Sequence, residues 1–204
     1  MRYSEDHKAE TRDRVVRAAA NAMRRLGPDR VSVAEIMGEV GLTHGGFYAH
    51  FKSKDALVGA AVEAAFGQSR KRLARMAQGL DDAGLLAGLV DFYVSADHRD
   101  VPERGCPIAL LSSDIPRQGE PARAAFDTGV HGLIELIATR LEVGEPDDRK
   151  GLAGSLLAEM AGAVALARAV SDPDLSDRLL AESRDRIKAR MGLTPSSPEQ
   201  GEQP

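Results

Sequence analysis

VSVAEIMGEVGLTHGGFYAHFKSKDAL, residues 31–57, is the stretch of sequence that decides the fold of this chain. Ser32 followed by Glu35 three positions later is the pattern of a capping box, which predicts that a helix starts here. Gly41 ends this helix, because glycine adopts the left-handed backbone with which helices commonly close. The stretch therefore opens with a short helix and a tight turn.

A second short helix is predicted directly after the turn. Thr43 is its N-cap candidate, and Phe47 and Phe51 stand four positions apart, so that both rings lie on one face. Ser53 then caps a long helix that runs towards Arg75. Two short helices across a glycine turn, behind a supporting first helix, make a helix-turn-helix.

The supporting first helix is predicted upstream of this pair. Its apolar residues recur at helical spacing, arginines occupy its other faces, and Gly27-Pro28-Asp29 ends it. The apolar positions are Val15, Ala18, Ala19, Ala22, Met23 and Leu26, and the arginines are Arg12, Arg14, Arg17, Arg24 and Arg25.

The composition of the whole chain agrees with an all-α fold. It has 204 residues, no Trp and only 4% aromatic residues, which disfavours strand-rich folds. Cys106 is the single cysteine, which excludes an intramolecular disulfide and cysteine-based zinc sites and fits a reducing compartment. The first ten residues lack the apolar core of a signal peptide. We therefore expect a cytoplasmic protein that holds no metal or cofactor.

Charge is distributed unevenly along the chain. The whole chain carries a formal charge of −4, which by itself disfavours nucleic-acid binding. Residues 1–60, however, hold ten Lys and Arg against eight Asp and Glu, and the remainder is acidic. A nucleic-acid surface is therefore expected in the N-terminal part.

The helix-turn-helix predicts which residues contact DNA. A recognition helix in the major groove needs hydrogen-bonding and small residues on its outer face, while cations and helix N-termini bind phosphates. The DNA-binding residues predicted in this way are Ser32, Thr43, His44, Gly45, Tyr48, His50, Lys52 and Lys54.

Simpler interpretations of the same residues stay open. Ser32 and Thr43 can act as helix caps alone, the two histidines can be plain solvent-exposed side chains, and Tyr48 can cover the apolar face. A helix-turn-helix can also serve as a protein–protein module.

The stretch around the turn resembles the DNA-binding domain of the TetR family of one-component transcriptional regulators. The resemblance runs from about Thr11 to Val62 and is carried by Gly41, Phe47, Tyr48, His50, Phe51, Lys54 and Leu57. It implies that Tyr48 and Lys54 contact the DNA backbone and that Thr43 to Gly46 face the bases. It also implies a homodimer that binds a palindromic double-stranded operator and is released by a small molecule. One departure from the family is the pair Gly45 and Gly46 inside this short helix. Either the helix becomes ordered on DNA, or the backbone has to approach the duplex closely.

The rest of the chain is predicted to be helical as well. We expect a DNA-binding domain over residues 1–52, a helical ligand-binding and dimerisation domain over 53–192, and a disordered tail over 193–204. The apolar window Gly151–Val170 contains small residues and two charges, so we expect a buried helix and no membrane span. Its small residues allow close packing on more than one side, so we expect it to pack both within its own subunit and across a dimer interface. Simple packing within one subunit is the alternative.

Cys106 precedes Pro107 and is predicted to lie at a helix N-terminus near Arg104 and His98 or Arg99. Such a place lowers a thiol pKa, so a repressor that senses electrophiles or oxidants through Cys106 is one hypothesis. The alternative is a small buried side chain or pocket wall.

The ligand pocket is predicted only from apolar residues of the body and one polar histidine. Its predicted lining is Phe92, Cys106, Leu110, Phe126, His131 and Leu133. A ligand-responsive repressor is the leading function, and a helix-turn-helix regulator without a ligand is the alternative. A cysteine hydrolase using Cys106 with His98 or His131 is disfavoured, because no other catalytic motif supports it.

Overall fold

The computed structural model describes residues 2–142 and 144–193, and in this part of the chain every regular element is a helix. The all-α prediction is confirmed. The α-helices are α1 (Arg2–Leu26), α2 (Val33–Glu39), α3 (Lys54–Met76), α4 (Asp82–Tyr93), α5 (Ala96–Asp100), α6 (Pro107–Leu111), α7 (Glu120–Ala138), α8 (Pro146–Ala169) and α9 (Pro173–Arg190). Short 3₁₀ helices cover His44–Ala49, Pro102–Arg104 and Ile115–Arg117.

Side-chain caps start the two helices that flank the turn. The Glu35 amide donates to Ser32 Oγ at 3.1 Å and the Ser32 amide donates to Glu35 Oε2 at 3.2 Å, so the predicted capping box is confirmed. Ser53 Oγ accepts from the Ala56 amide at 3.1 Å and begins α3. Gly41, between α2 and the 3₁₀ helix His44–Ala49, has φ +75°, a conformation that L residues rarely adopt.

The second helix of the pair differs from the prediction. It is a 3₁₀ helix of six residues, and the Thr43 side chain makes no capping hydrogen bond. Instead the Gly46 amide donates to the Thr43 carbonyl at 3.0 Å. Gly45 and Gly46 explain the difference, because two glycines in so short a segment remove helix propensity.

The buried side chains form one core cluster with members from α1 to α9, and α3 is the central helix of this cluster. α3 packs along α1 on one side and α7 on the other. Phe66 and Gly129 show how closely α3 and α7 approach, since a Cβ on Gly129 would lie 2.3 Å from the Phe66 ring. α3 therefore connects the helix-turn-helix rigidly to the rest of the molecule.

The apolar helix α8 contributes one face to the core. By length and composition it could cross a membrane, but Leu156, Met160 and Val164 are fully buried against the rest of the chain. Leu166 on the same helix is exposed. α8 thus has a packed inner face, as predicted, and an outer face with exposed apolar surface.

Two predicted boundaries remain untested by the fold. The division between residues 52 and 53 falls directly before α3 begins at Lys54, and it stays a prediction. The tail predicted over residues 193–204 lies outside the described residues, except for Leu193.

Candidate functional site

The 3₁₀ helix His44–Ala49 has an inner face made by aromatic rings. Phe47 and Phe51 are buried, and their rings stack with centroids 5.5 Å apart. The Arg12 guanidinium of α1 lies 5.0 Å from the Phe51 ring centroid, a cation–π distance. These contacts hold the segment against α1 and α2.

The outer face of the same segment is open to solvent. Thr43, His44 and Gly45 are exposed, and Tyr48 is the most exposed large apolar side chain in the described part of the chain. The Tyr48 ring makes an edge contact with the His44 ring, with centroids 6.3 Å apart. Hydrogen-bonding groups and one aromatic ring therefore project together from the tip of the domain.

Gly45 and Gly46 are not required by the fold. Neither has a positive φ. A Cβ on Gly45 would meet nothing within 4 Å, and one on Gly46 would make only ordinary contacts at 3.7 and 3.8 Å. Open space on this face leaves room for another molecule to approach the backbone closely.

Positive charge and helix N-termini flank this outer face. Lys52 and Lys54 are exposed at the start of α3, and Ser32 is exposed at the start of α2. Helix N-termini carry partial positive charge and present amide groups to anions. The N-termini of α2 and α3, with Lys52 and Lys54, can therefore bind phosphate groups.

His50 differs from its predicted exposed position. It is half-buried, and its Nδ1 is buried without a hydrogen-bond partner in the described residues. Burial, together with the charges of Lys8 and Arg12, lowers the pKa of His50. A neutral imidazole contributes a hydrogen-bonding group to this surface and no charge.

Two arginines of α1 fix the helix-turn-helix in place. Arg14 Nη2 donates to the Val40 carbonyl at the end of α2 at 2.7 Å. Arg24, expected on a polar face, is instead only 3% exposed. Its guanidinium donates to Asn21 Oδ1 at 2.8 Å, to Gln68 Oε1 on α3 at 2.5 Å, and to the Gly105 carbonyl at 3.3 Å.

Sequence patterns missed these arginines because helical periodicity distinguishes only apolar from polar faces. Burial, and repulsion by Arg72, lower the pKa of Arg24 to about 10. Arg24 therefore stays charged at neutral pH and links α1 to the body.

The body contains a small, mainly apolar cavity of about 20 Å³. Of the predicted pocket residues, Phe92, Cys106 and Leu133 line it. A cavity of this volume holds about one water molecule. The other lining residues are Ser69, Arg72, Leu73, Leu89 and Tyr93.

The other three predicted pocket residues lie elsewhere. Leu110 lies against Gly105, and Phe126 lines an open surface cleft near Ile115. His131 is exposed, and its Nδ1 lies 2.8 Å from the Asp127 carbonyl. Periodicity could not exclude them, because it gives the face of a helix without saying which neighbour covers that face.

Of the two hypotheses for Cys106, the structure contradicts a thiol of lowered pKa and agrees with a small buried side chain that lines a cavity. The residue is at the N-cap of α6 as predicted, but it is only 4% exposed. Burial raises the pKa of the thiol, and this outweighs the neighbouring Tyr93 hydroxyl and backbone amides. The thiol is therefore protonated and shielded at neutral pH.

His98 is a buried structural residue. The Cys106 amide donates to Nε2 at 2.7 Å, so Nδ1 carries the proton and donates to the Tyr93 carbonyl at 2.6 Å. Burial lowers the pKa of His98 to about 4. Because both ring nitrogens are bonded to the backbone, His98 cannot act as a base towards Cys106, and His131 is on the surface. The residues described here also contain no group of three or more potential His, Cys, Asp or Glu metal ligands.

The N-terminal part of the chain matches a known family. Residues 15–61 match the family model for bacterial regulatory proteins of the tetR family. The HTH-type transcriptional repressor Rv1474c of Mycobacterium tuberculosis is 28% identical over 99 residues, covering 48% of this chain and 49% of that protein. The match thus spans about half the length of this relative. The HTH-type transcriptional repressor NemR of Escherichia coli is 24% identical over 140 residues, covering 66% of this chain and 69% of NemR.

The complete fold matches solved structures. The reduced form of Escherichia coli NemR has a TM-score of 0.75 and 22% identity, covering 88% of this chain and 96% of that chain. A TetR transcriptional regulator from Chloroflexus aurantiacus has a TM-score of 0.73 and 26% identity, covering 90% and 96% of the two chains. The predicted architecture, an N-terminal helix-turn-helix followed by a helical domain, is confirmed.

Proposed function

The chain belongs to the TetR family of bacterial regulatory proteins, and from this premise we propose that it is a cytoplasmic transcriptional repressor that binds an operator as a homodimer. The observation that carries the proposal is the outer face of the helix-turn-helix. Tyr48 and His44 project from it, the backbone at Gly45 is uncovered, and Lys54 lies beside it. The repressor names of its relatives agree with this function.

The DNA contacts divide into two kinds. Tyr48, Lys52 and Lys54, with the α2 and α3 N-termini, bind phosphates and position the protein without reading sequence. Thr43 to Gly46 enter the major groove, where His44 donates or accepts hydrogen bonds at base edges. The buried Phe47 and Phe51 keep this segment rigid while it docks.

The dimer forms through the outer faces of α8 and α9. Leu166 and Leu175 are exposed large apolar side chains on these two helices. A two-fold axis between two such faces buries both leucines and gives a four-helix contact between subunits. The operator then has two half-sites related by the same axis.

Helix α3 couples the body to the DNA. It carries Lys54 at its first position and contributes Arg72 and Leu73 to the wall of the body cavity. An effector that prefers one conformation of the body shifts the helix-turn-helix pair through α3, by the difference of its affinities for the two conformations. Because the cavity holds about one water molecule, a larger effector requires the body to open.

The test is selection of DNA from a random pool, followed by binding measured by fluorescence anisotropy and analytical ultracentrifugation. We expect enrichment of a two-fold symmetric sequence and a complex of one dimer per site, with affinity that falls steeply as salt rises. A folded dimer that enriches no sequence and does not bind duplex DNA at low salt contradicts the proposal. Enrichment of symmetric DNA that no small molecule releases supports the regulator without a ligand.

A further inference from the structure

A large open cleft lies at the junction of the helix-turn-helix and the body. Its volume is about 680 Å³, and α1, α3 and the 3₁₀ helix Pro102–Arg104 form its walls. Four of its eight lining residues are cations. The lining is Asn21, Gln68, Lys71, Arg72, Ala74, Arg75, Glu103 and Arg104.

The positive charge of this cleft is poorly balanced by the chain. Glu103 is the carboxylate in the lining, and its Oε1 already lies 3.4 Å from Arg25 Nη1. Burial, and then the charges of Arg75 and Arg104, lower the pKa of Arg72. Like charges held this close repel one another, and a bound anion relieves the repulsion.

A buried arginine stands behind the cleft wall. Arg24 bonds the side chains of Asn21 and Gln68, which both line the cleft, and its Nε is buried with no hydrogen-bond partner among the described residues. An unpaired buried guanidinium N–H is costly unless another group satisfies it. Arg24 therefore adds a further positive charge directly behind the cleft wall.

Arg72 connects the cleft to the apolar cavity of the body. It lines both spaces, and its guanidinium lies 4.7 Å from the Phe92 ring centroid. It also donates from Nη1 to the Arg104 carbonyl. Movement of this one side chain towards an anion in the cleft would uncover Phe92 and join the two spaces.

We propose that this cleft is the effector site, and that it takes an amphipathic organic anion. Its carboxylate or phosphate group binds Arg72, Arg75 and Arg104, and its apolar part enters past Phe92 towards the cavity. The regulatory role rests on the proposed function, but binding of the anion does not.

The site is separate from the DNA-binding face. Lys54 and Lys71 are seventeen residues apart on α3, which corresponds to roughly 25 Å along a helix. A DNA phosphate bound at Lys54 therefore does not reach the cleft. An anion there instead bridges α1, which belongs to the helix-turn-helix domain, and Pro102–Arg104, which belongs to the body, so it stabilises one relative position of the two.

Direct binding is tested without DNA. Hexanoate, hexyl phosphate and acetate are titrated into the full chain at constant ionic strength, with calorimetry and thermal unfolding as readouts. We expect hexanoate or hexyl phosphate to bind at least tenfold more tightly than acetate, and the tighter of the two identifies the anionic group. If no probe binds, or if acetate binds equally well, the proposal is wrong.

A double variant of the cleft and a control variant test the site, and both replace only exposed arginines. Arg75→Gln/Arg104→Gln alters two exposed lining residues, and Arg123→Gln alters an exposed arginine on α7, outside the cleft. We expect the double variant to lose at least tenfold in affinity for the anion while it unfolds at the same or a higher temperature without ligand. The control should bind as the unaltered chain does. If all three proteins bind the anion with equal affinity, the anion does not bind in this cleft.

The regulatory role is tested with the selected DNA. The tighter-binding probe should change DNA affinity at least fivefold in the unaltered chain and in Arg123→Gln, and leave the DNA affinity of the double variant unchanged. If the probe binds but DNA affinity does not change, the cleft is not an effector site. If the chain binds no DNA at all, the proposed function fails, while calorimetry still decides whether the cleft binds anions.

Discussion

Phe47 and Tyr48 are neighbours in the chain, and their ring centroids are 5.2 Å apart, yet Phe47 is 2% exposed and Tyr48 is 68% exposed. The 3₁₀ helix places one ring in the core and the next ring in solvent. The buried ring fixes the position of the exposed one, so Tyr48 is presented to a partner with little freedom to lose. This division is the basis of the DNA-binding face proposed for this protein.

Gly45→Ala should separate the requirements of folding from those of binding. Because φ is not positive and a Cβ would meet nothing, the alanine variant should gain about 0.5–1 kcal/mol of unfolding free energy. The added methyl group stands between the backbone and the duplex, so affinity for the selected DNA should fall about tenfold. Urea unfolding and anisotropy measure the two effects.

Gly38→Ala is the matched control for this variant. Gly38 is exposed within α2 and its Cβ would also meet nothing within 4 Å, so stability should rise without loss of DNA affinity. If Gly45→Ala binds DNA as tightly as Gly38→Ala does, the proposal that DNA approaches the backbone closely at Gly45 is wrong.

His98 should make the stability of the protein depend on pH. Its native pKa of about 4 lies below the ordinary value of 6.5, so the unfolded chain binds more protons between these two values. Its contribution is complete above about pH 6.5 and decreases as pH falls towards 4, by on the order of 3 kcal/mol.

Urea unfolding at several pH values checks this expectation. His98→Gln should flatten the dependence between pH 6.5 and 4, whereas His131→Gln, on the surface, should leave it unchanged. An unaltered slope in His98→Gln would show that the buried imidazole is not the group responsible.

Cys106 should react slowly in the folded protein. Its thiol is buried and its pKa is raised by burial, so we expect a disulfide reagent such as dithiobis(nitrobenzoate) to modify it at least roughly tenfold more slowly than free cysteine at pH 7.5. Denaturant should restore the ordinary rate. Rapid modification of the folded chain would contradict the position assigned to this thiol.

Leu166→Glu should weaken the dimer. Leu166 is 57% exposed on α8, and a carboxylate on each side of a two-fold contact introduces repulsion where apolar surface was buried. Sedimentation should show at least a tenfold weaker dimer.

Leu80→Glu is the comparison for the dimer, because Leu80 is 48% exposed between α3 and α4. It should sediment as the unaltered chain does. Equal dimerisation by both variants would place the interface away from the outer face of α8.

Local patterns predicted the local elements of this fold. The capping box of Ser32 and Glu35, the turn at Gly41 and the inward rings of Phe47 and Phe51 each depend on residues close together in sequence, and the structure has all of them. The 3₁₀ character of the next segment was not predicted, because two glycines weaken an α-helix without specifying what replaces it.

Contacts between distant segments could not be predicted in this way. The sequence pattern places Arg24 on a solvent-facing side of α1. In the structure it donates hydrogen bonds to Gln68 and Gly105, which lie 44 and 81 positions away. Phe126 and His131 were predicted to line the pocket but do not line the cavity, for a similar reason. The Phe126 ring packs against Phe66 and faces a surface cleft, and His131 is exposed. Helix placement, which periodicity does not give, decides both cases.

Anisotropy titrations of Lys54→Ala against the unaltered chain, at salt concentrations from 50 to 300 mM on the selected DNA and on unrelated duplex, test the central claim most directly. Lys54 is proposed to bind a phosphate in each subunit, so its loss should weaken binding to both duplexes by a similar factor. It should also reduce the slope of log affinity against log salt by about two per dimer. Unchanged affinity and an unchanged slope in a folded Lys54→Ala dimer would contradict the proposed docking.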